Sequence, residues 1–215
     1  MTNEEFARKI DATLLGPEIT EGDLKQHLEN ALKYHFKTVA IGCSWIPFAR
    51  EILKGSDTGI DAPIGFPNGY NTTESKVFET IDAFAKGATE ADILINIGWL
   101  RSGRYADVED ELKRFVCAAG GKVTKVILET CYLSEQQKRD VIKIIKRSGA
   151  GFVKTSTGFA KAGATVEDIK LMVREAGDSL QVKASGGIRS RAFAEELLEL
   201  GAARLGASNP HLLLE

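Results

Sequence analysis

Two lysine residues lie at the ends of apolar, strand-like segments, where charged side chains are uncommon. Lys154 ends the segment Gly151–Lys154, and Lys183 ends the segment Leu180–Lys183. Each is either a salt-bridged structural lysine or a functional group, because buried lysines are rare unless they are paired or used in chemistry. Asp92 also lies within an apolar segment, and a carboxylate there needs a partner, for which the two lysines are the obvious candidates.

A pair of neighbouring lysines is suited to carbonyl chemistry. A free lysine with a pKa of about 10.4 is neutral in only about one molecule in 2,500 at pH 7, so it is a poor nucleophile. A second ammonium nearby lowers the pKa, and a fall to about 7 corresponds to roughly 4.6 kcal/mol of ammonium destabilisation. A neutral lysine forms Schiff bases with carbonyl compounds, so the pair predicts a Schiff-base enzyme.

Two glycine-containing segments follow the last two predicted strands. They are Ser185–Arg189 and Gly206–Pro210, and proline suits the first turn of a short helix. Backbone N–H groups in such turns are typical of phosphate binding beside strands seven and eight of a (β/α)8 barrel. By itself a Gly-Gly pair indicates only a turn, and the adjacent lysines favour the functional interpretation.

Other polar residues near strand ends have simpler interpretations. Cys43 ends the second predicted strand, and a lone cysteine without an evident histidine partner is usually a small buried apolar residue. Glu129 ends the fifth predicted strand, where it either polarises a substrate hydroxyl or pairs with a lysine. His27 and His35 lie on or just after the first long helix, and we expect both at the surface.

Amphipathic segments alternate with apolar runs along the chain, which predicts repeated βα units. N-cap signals occur at Thr20, Ser134 and Thr165, each with a partner residue three positions later. A Gly-Ala pair follows three helices, at Gly87, Gly149 and Gly201, where glycine can adopt the left-handed conformation that ends a helix.

Eight predicted strands lie between the helices. They are Lys9–Thr13, Thr38–Cys43, Ile60–Gly65, Ala91–Ile97, Lys125–Glu129, Gly151–Lys154, Leu180–Lys183 and Ala203–Gly206. Most are continuously apolar, as parallel strands covered by helices are, and the pattern predicts a single-domain (β/α)8 barrel over residues 1–215. A doubly wound open sheet is the alternative, but the sequence has neither GxGxxG after the first strand nor GxxxxGK[ST].

Composition restricts the possible partners. Lys and Arg number 28 against 30 Asp and Glu, a formal charge of −2, which gives no electrostatic reason to expect binding to nucleic acid or to a membrane surface. No apolar run reaches a membrane span, and the acidic N-terminus is unlike a signal peptide. The three cysteines and three histidines have no ligand-like spacing. We therefore expect a cytoplasmic protein without a structural zinc site.

Nine sequence phrases resemble the DeoC-type class I aldolases, the deoxyribose-phosphate aldolase family. They are IDATLL (Ile10–Leu15), GFPNG (Gly65–Gly69), KVFE (Lys76–Glu79), ADILINIGWLRSG (Ala91–Gly103), VILET (Val126–Thr130), FVKTSTGF (Phe152–Phe159), GAT (Gly163–Thr165), VKASGGIR (Val182–Arg189) and GASN (Gly206–Asn209). They follow the family's order over nearly the whole chain, and FVKTSTGF with VKASGGIR is highly specific.

The resemblance implies three catalytic roles: Lys154 forms the Schiff base, Lys183 lowers its pKa, and Asp92 relays protons. It also implies a substrate-binding set made up of Asp11, Thr13, Thr157, Gly158, Gly186, Gly187, Gly206 and Ser208. The implied reaction is the reversible cleavage of 2-deoxy-D-ribose 5-phosphate to acetaldehyde and D-glyceraldehyde 3-phosphate, without metal or organic cofactor. A homo-oligomer is possible.

Three residues depart from the family's usual pattern. Ala12 replaces a histidine, Gly16 replaces a lysine before the proline, and Asn209 replaces the second of two serines. They bear on substrate affinity and phosphate recognition more than on reaction type. Two other functions stay open: a lysine-dependent aldolase or transaldolase for another sugar phosphate, and a non-catalytic sugar-phosphate-binding barrel.

Overall fold

Eight parallel strands, each at or near a predicted apolar run, form a closed barrel in the computed structural model, which describes residues 1–214. The strands are β1 (Ile10–Leu14), β2 (Thr38–Ile41), β3 (Gly59–Ile64), β4 (Glu90–Leu94), β5 (Val123–Ile127), β6 (Phe152–Lys154), β7 (Gln181–Ser185) and β8 (Arg204–Ala207). Each strand pairs with the next, and β8 pairs with β1. This confirms the (β/α)8 barrel and excludes the open sheet.

Helices cover the outside of the barrel. They are α1 (Asn3–Ala7), α2 (Glu21–Tyr34), α3 (Ile46–Ile52), α4 (Thr73–Lys86), α5 (Ile97–Arg101), α6 (Tyr105–Ala118), α7 (Glu135–Ser148), α8 (Val166–Ala176) and α9 (Arg191–Glu199). The predicted N-caps at Thr20, Ser134 and Thr165 each accept a hydrogen bond from the backbone three residues later. Gly87 and Gly149 adopt the predicted left-handed conformation at helix ends.

The inside of the barrel carries charge, although the strands look continuously apolar in the sequence. Side chains at positions i and i+2 of a strand point to the same face, and alternate strands contribute the four residues of each interior layer. The odd-numbered strands contribute Asp11, Asp61, Lys125 and Lys183 to one layer, and all four are almost fully buried. Apolar contacts with the helices lie on the opposite faces of the strands, at residues such as Val39, Ile93, Val126 and Leu205.

One of the histidines differs from its predicted surface position. His27 is half-buried on α2, and its Nε2 lies 3.2 Å from the backbone oxygen of Ala12. Burial lowers the pKa of this imidazole, which favours a neutral ring that donates to the carbonyl group. His35 is exposed, as expected, and ends α2 in a left-handed conformation.

Within residues 1–214, no helix is both long enough and apolar enough to span a membrane. The cysteines Cys43, Cys117 and Cys131 are not joined in disulfides.

Candidate active site

A cavity of about 360 Å³ opens beyond the carboxyl ends of β6, β7, β8 and β1. Eight of the eleven predicted site residues line it: Thr13, Lys154, Thr157, Gly158, Gly186, Gly187, Gly206 and Ser208. The remaining three, Asp11, Asp92 and Lys183, are buried beneath it. Their depth follows from strand geometry, since Asp11 precedes Thr13 by two residues and Lys183 precedes Ser185, which also lines the cavity, by two.

The two lysines occupy different depths. Lys154 lines the cavity and is 6% exposed, whereas Lys183 is 0% exposed and lies below the cavity floor. The two residues are register partners on adjacent strands. A substrate in the cavity therefore meets the amine of Lys154 and not that of Lys183.

Asp92 links the two lysines. Its Oδ2 lies 2.7 Å from the Nζ of Lys154 and 2.7 Å from the Nζ of Lys183. Its Oδ1 lies 2.7 Å from the Nζ of Lys125, a third lysine that we did not identify as a site residue from the sequence. Asp92 thus has the cationic partners that a buried carboxylate requires.

The surrounding charges give the two lysines opposite pKa shifts. Burial lowers the pKa of Lys154, and the Lys183 ammonium also lowers it, while Asp92 opposes both effects. Burial also disfavours the Lys183 ammonium, but Asp11, Asp61 and Asp92 outweigh burial and hold the pKa of Lys183 well above its usual range. Lys183 is therefore a permanent cation, and Lys154 is the lysine that loses its proton more readily.

Four further charged residues complete the floor beneath the cavity and were missed from the sequence. They are Asp61, Glu90, Lys125 and Arg204. Arg204 contacts Asp11 at 2.5 Å and Glu90 at 3.4 Å. Asp61 and Lys125 lie within strands, and Glu90 and Arg204 begin β4 and β8. None of the four lies at the carboxyl end of a strand, where active-site residues of a barrel are expected. The signal available was a charge inside a strand pattern, the same signal that identified Asp92.

The glycine turn after β7 packs directly against the segment before α8. Gly186 and Gly187 both have left-handed backbones, with φ of 83° and 76°. A Cβ on Gly163 would lie 2.1 Å from the carbonyl oxygen of Gly186, so only glycine fits there. Ala164 N–H donates to that same oxygen at 3.0 Å. Arg189, named in the sequence motif without a role, also lines the cavity and supplies a cationic side chain.

Glu129 has a different partner from the two we considered. It has a left-handed backbone, with φ of 54°, just after β5. Its carboxylate accepts hydrogen bonds from the Thr157 N–H, at 3.2 and 3.3 Å, and from the Thr157 hydroxyl. Burial raises the pKa of Glu129, and the Thr157 bonds oppose this effect. Glu129 therefore anchors a residue of the cavity wall.

Cys43 follows β2 and does not line the cavity that contains Lys154. Its thiol donates to the carbonyl oxygen of Pro63 at 3.4 Å, and burial raises its pKa to about 12. A thiol in that state is a poor nucleophile, which agrees with a non-catalytic cysteine, but the side chain is half-buried and not fully buried as expected.

Comparison with known proteins agrees with this geometry. A family model described as DeoC/LacD family aldolase matches residues 16–208. The deoxyribose-phosphate aldolase of Staphylococcus saprophyticus is 49% identical over 203 residues, which cover 94% of this chain and 92% of that protein.

Solved structures give the same result. A crystal structure from Coccidioides immitis superposes with a TM-score of 0.96 at 34% identity, covering 100% of this chain and 86% of that one. The tetrameric deoxyribose phosphate aldolase of Aeropyrum pernix superposes with a TM-score of 0.93 at 30% identity, covering 99% of this chain and 91% of that one. With a lysine at the cavity and a matched family model over most of its length, this chain belongs to the DeoC/LacD aldolase family.

Proposed function

We propose that this chain is a class I aldolase that reversibly cleaves 2-deoxy-D-ribose 5-phosphate to acetaldehyde and D-glyceraldehyde 3-phosphate. We treat residues 1–215 as one catalytic domain that needs neither a metal nor an organic cofactor. The observation that carries the proposal is the position of Lys154. Its amine faces a cavity of about 360 Å³, while Asp92 and the permanent cation Lys183 lie directly beneath it.

In the proposed reaction, Lys154 is the nucleophile. Its neutral amine attacks C1 of the open-chain sugar, water leaves, and a protonated Schiff base forms. The C3 hydroxyl then loses its proton and the C2–C3 bond breaks, which releases D-glyceraldehyde 3-phosphate. The bonding electrons move toward the Schiff-base nitrogen, and an enamine forms. Protonation at C2 and hydrolysis release acetaldehyde and regenerate Lys154.

In this scheme Asp92 transfers protons, and Lys183 lowers the pKa of Lys154. Asp92 touches the Nζ atoms of both lysines at 2.7 Å, so it is suited to accept and return protons near the reacting nitrogen. Lys183 disfavours the ammonium form of Lys154 by like-charge repulsion. Asp11 contacts Lys183 at 2.5 Å from beneath the cavity, so its proposed contribution is to hold Lys183.

The remaining site residues bind the sugar phosphate in this proposal. Gly158, Gly186, Gly187, Gly206 and Ser208 surround the end of the cavity near β7 and β8 and hold the 5-phosphate, mainly through backbone N–H groups. Arg189 adds a positive charge there. Thr13 and Thr157 also line the cavity, and in this proposal they face the sugar hydroxyls.

Oligomeric state and location are further parts of the proposal. The related Aeropyrum pernix enzyme is tetrameric, which supports a homo-oligomer here. The near-neutral charge balance gives no reason to propose a nucleic-acid or membrane partner, and we propose a cytoplasmic location on the sequence features given above.

Borohydride trapping tests the function directly. Incubation with acetaldehyde and borohydride is expected to leave a reduced ethyl group on Lys154, identified by peptide mapping, in protein that also cleaves 2-deoxyribose 5-phosphate. EDTA is expected to leave cleavage unchanged, because the protonated Schiff base itself accepts the electrons. Labelling at Lys183 would reverse the lysine roles. Cleavage that is lost in EDTA and restored by zinc would reject a Schiff-base mechanism.

A further inference from the structure

Asp61 is a buried acid that the proposed reaction does not use. It lies on β3 and is 1% exposed. Its Oδ2 is 3.0 Å from the Nζ of Lys183, and its Oδ1 is 3.1 Å from the Nζ of Lys125. A carboxylate buried this deeply is costly unless it is paired, and here it is paired with two ammonium groups.

The same two ammonium groups are also bridged by Asp92. Asp92 Oδ1 lies 2.7 Å from Lys125, and Asp92 Oδ2 lies 2.7 Å from Lys183. Asp61, Lys125, Asp92 and Lys183 therefore form a closed ring of alternating charge, which we call the four-charge ring. Lys154 joins this ring at one corner only, through Asp92.

Every strand of the barrel except β2 contributes an ionisable side chain to the interior around Asp61. The groups that face the four-charge ring are Asp11 on β1, Glu90 on β4, Lys154 on β6 and Arg204 on β8. The ring and its neighbours together contain four carboxylates and three fixed cations. The carboxylates are Asp11, Asp61, Glu90 and Asp92, and the cations are Lys125, Lys183 and Arg204. One net negative charge is left for the Lys154 nitrogen to balance. An ammonium or a protonated Schiff base on Lys154 supplies that positive charge.

Asp61 is ionised near neutral pH. Burial raises its pKa, and the Asp92 carboxylate raises it further, to about 6. The ring is therefore closed at neutral pH and loses one of its negative charges as the pH falls through the pKa of Asp61.

We propose that Asp61 is a positioning residue for the aldolase reaction, which closes the four-charge ring and so fixes the Asp92 carboxylate and the Lys183 ammonium beneath Lys154. The inference rests on the proposed function. Asp61 acts through its neighbours, because it has no contact with the cavity or with Lys154. Without it, Lys125 and Lys183 have one shared carboxylate fewer to screen their repulsion. The two ammonium groups that hold Asp92 are then less firmly fixed beneath Lys154.

The test uses Asp61→Asn, which keeps the shape and removes the charge. Loss of a nearby negative charge disfavours the Lys154 ammonium, so the pKa of Lys154 is expected to fall by about half a unit or more. Reductive methylation of Lys154 by formaldehyde and borohydride, followed across pH by peptide mapping, reports the neutral fraction of this lysine. The midpoint of that profile should move to lower pH, while kcat falls about tenfold with a smaller change in KM.

Glu111→Gln is the matched control. Glu111 is also fully buried and pairs with Lys76 at 2.9 Å, but this pair lies between α4 and α6, outside the barrel interior. The control is expected to lower the melting temperature and to leave the Lys154 midpoint unchanged. If Asp61→Asn behaves like Glu111→Gln, with an unshifted midpoint and a wild-type kcat, Asp61 is only structural and the proposal is wrong.

A second variant covers poor folding of Asp61→Asn. Asp61→Asn combined with Lys125→Met removes one charge of each sign and keeps the interior charge balance. Its Lys154 midpoint is expected to lie nearer to wild type, while kcat stays low because the ring is open; a wild-type kcat would overturn the proposal. The methylation profile needs no sugar, so failure of wild-type protein to cleave 2-deoxyribose 5-phosphate would reject the proposed function separately from the role of Asp61.

Discussion

At the scale of single residues, the two lysines differ in their depth below the cavity, a difference that is not visible in the sequence. Both lie at the carboxyl end of short apolar runs, and both contact Asp92 at 2.7 Å. Only the closed barrel shows that Lys183 has two further carboxylates, Asp11 and Asp61, while Lys154 has none. Carboxylate neighbours keep a lysine charged, so the lysine with fewer of them is the better nucleophile.

The first prediction concerns Lys183→Leu. Removal of this ammonium should raise the pKa of Lys154, because a like charge is lost while the surrounding carboxylates stay. We expect kcat/KM at pH 7 to fall by about 10²-fold or more, and the acid limb of its pH profile to move to higher pH. The measurement is kcat/KM for 2-deoxyribose 5-phosphate from pH 6 to pH 10.

Lys154→Ala is the companion variant and should show no cleavage at any pH, since no Schiff base can form. A Lys183→Leu enzyme whose pH profile coincides with wild type would remove the like-charge argument. Thermal unfolding of both variants distinguishes lost chemistry from lost structure, because Lys183→Leu leaves Asp11 and Asp61 with one cation fewer.

The sequence identified the residues with unusual positions and the pairing of Asp92 with both lysines, but not the further partners of Lys183. Lys154, Lys183 and Asp92 were visible because each is a charge in an apolar run. Asp61 and Lys125 have the same signal, yet their importance depends on contacts between distant strands. Asp61 meets Lys183 across 122 positions of sequence, and no local pattern encodes that distance.

At the scale of elements, the loop after β6 is held by the loop after β5. Thr157 in the first loop donates two groups, its N–H and its hydroxyl, to Glu129 in the second. Thr130 N–H also donates to the Thr155 oxygen at 3.0 Å. The left-handed backbone of Glu129 is an uncommon state for a residue with a Cβ, and such conformations persist where contacts over-determine them.

The second prediction follows from these contacts. An amide at position 129 removes the negative charge that strengthens both bonds from Thr157, and a hydrogen bond to a charged group contributes about 1.5–3 kcal/mol. Glu129→Gln is therefore expected to lower kcat/KM by about tenfold or more. Thr157→Ser, which keeps both donors, should stay close to wild type. Steady-state kinetics on the two variants check this, and equal losses in both would contradict the anchoring role.

The third prediction concerns the close contact between Gly163 and Gly186. An alanine at position 163 would place its Cβ 2.1 Å from the Gly186 oxygen, and backbone must move to relieve the overlap. Movement of Gly186 displaces the turn proposed to bind phosphate, so we expect KM for the phosphorylated sugar to rise about tenfold, the cost of about one charge-assisted hydrogen bond.

Gly22→Ala is the control for this variant. Gly22 lies in the first turn of α2, where a Cβ would meet no atom closer than 3.8 Å. Alanine is a better helix former than glycine, so this change should leave KM unaltered and should not lower stability. A Gly163→Ala enzyme with a wild-type KM would show that the glycine turn tolerates displacement.

Element positions were largely predictable, and the exceptions have physical reasons. Capping residues and apolar periodicity are local signals, so the main helices and all eight strands were found within a few residues. The short helices α1, α3 and α5 were not, because helices of five to seven residues are too short to show a period. The half-burial of His27 was also missed, since it depends on a contact with β1.

At the scale of the whole molecule, the barrel separates the site into a charged floor and a rim of loops, which we propose to be the phosphate-binding part. The floor lies in the strands, where seven buried charged side chains lie beneath Lys154. The rim lies in the loops after β6, β7 and β8, where backbone N–H groups and Arg189 surround the cavity. Barrel strands are rigid and loops carry variable binding residues, so we expect the reaction to depend on the floor and the substrate preference on the rim.

The last prediction tests that division through the 5-phosphate. If the rim binds phosphate, kcat/KM for 2-deoxyribose 5-phosphate should exceed that for 2-deoxyribose by about 10²-fold or more, since two charge-assisted bonds contribute about 3 kcal/mol or more. Part of the loss should appear in kcat, because binding at the remote phosphate helps to hold C1 against Lys154. Asn209 lines the cavity where the family often has serine, and its amide can still donate, so the preference is expected to be weakened and not lost.

The ratio is measured at fixed pH and ionic strength, with Arg189→Gln for comparison. Arg189→Gln should reduce the ratio by lowering activity on the phosphorylated sugar alone, whereas a wild-type ratio near one would mean that the glycines only shape turns and that the enzyme acts on a neutral substrate.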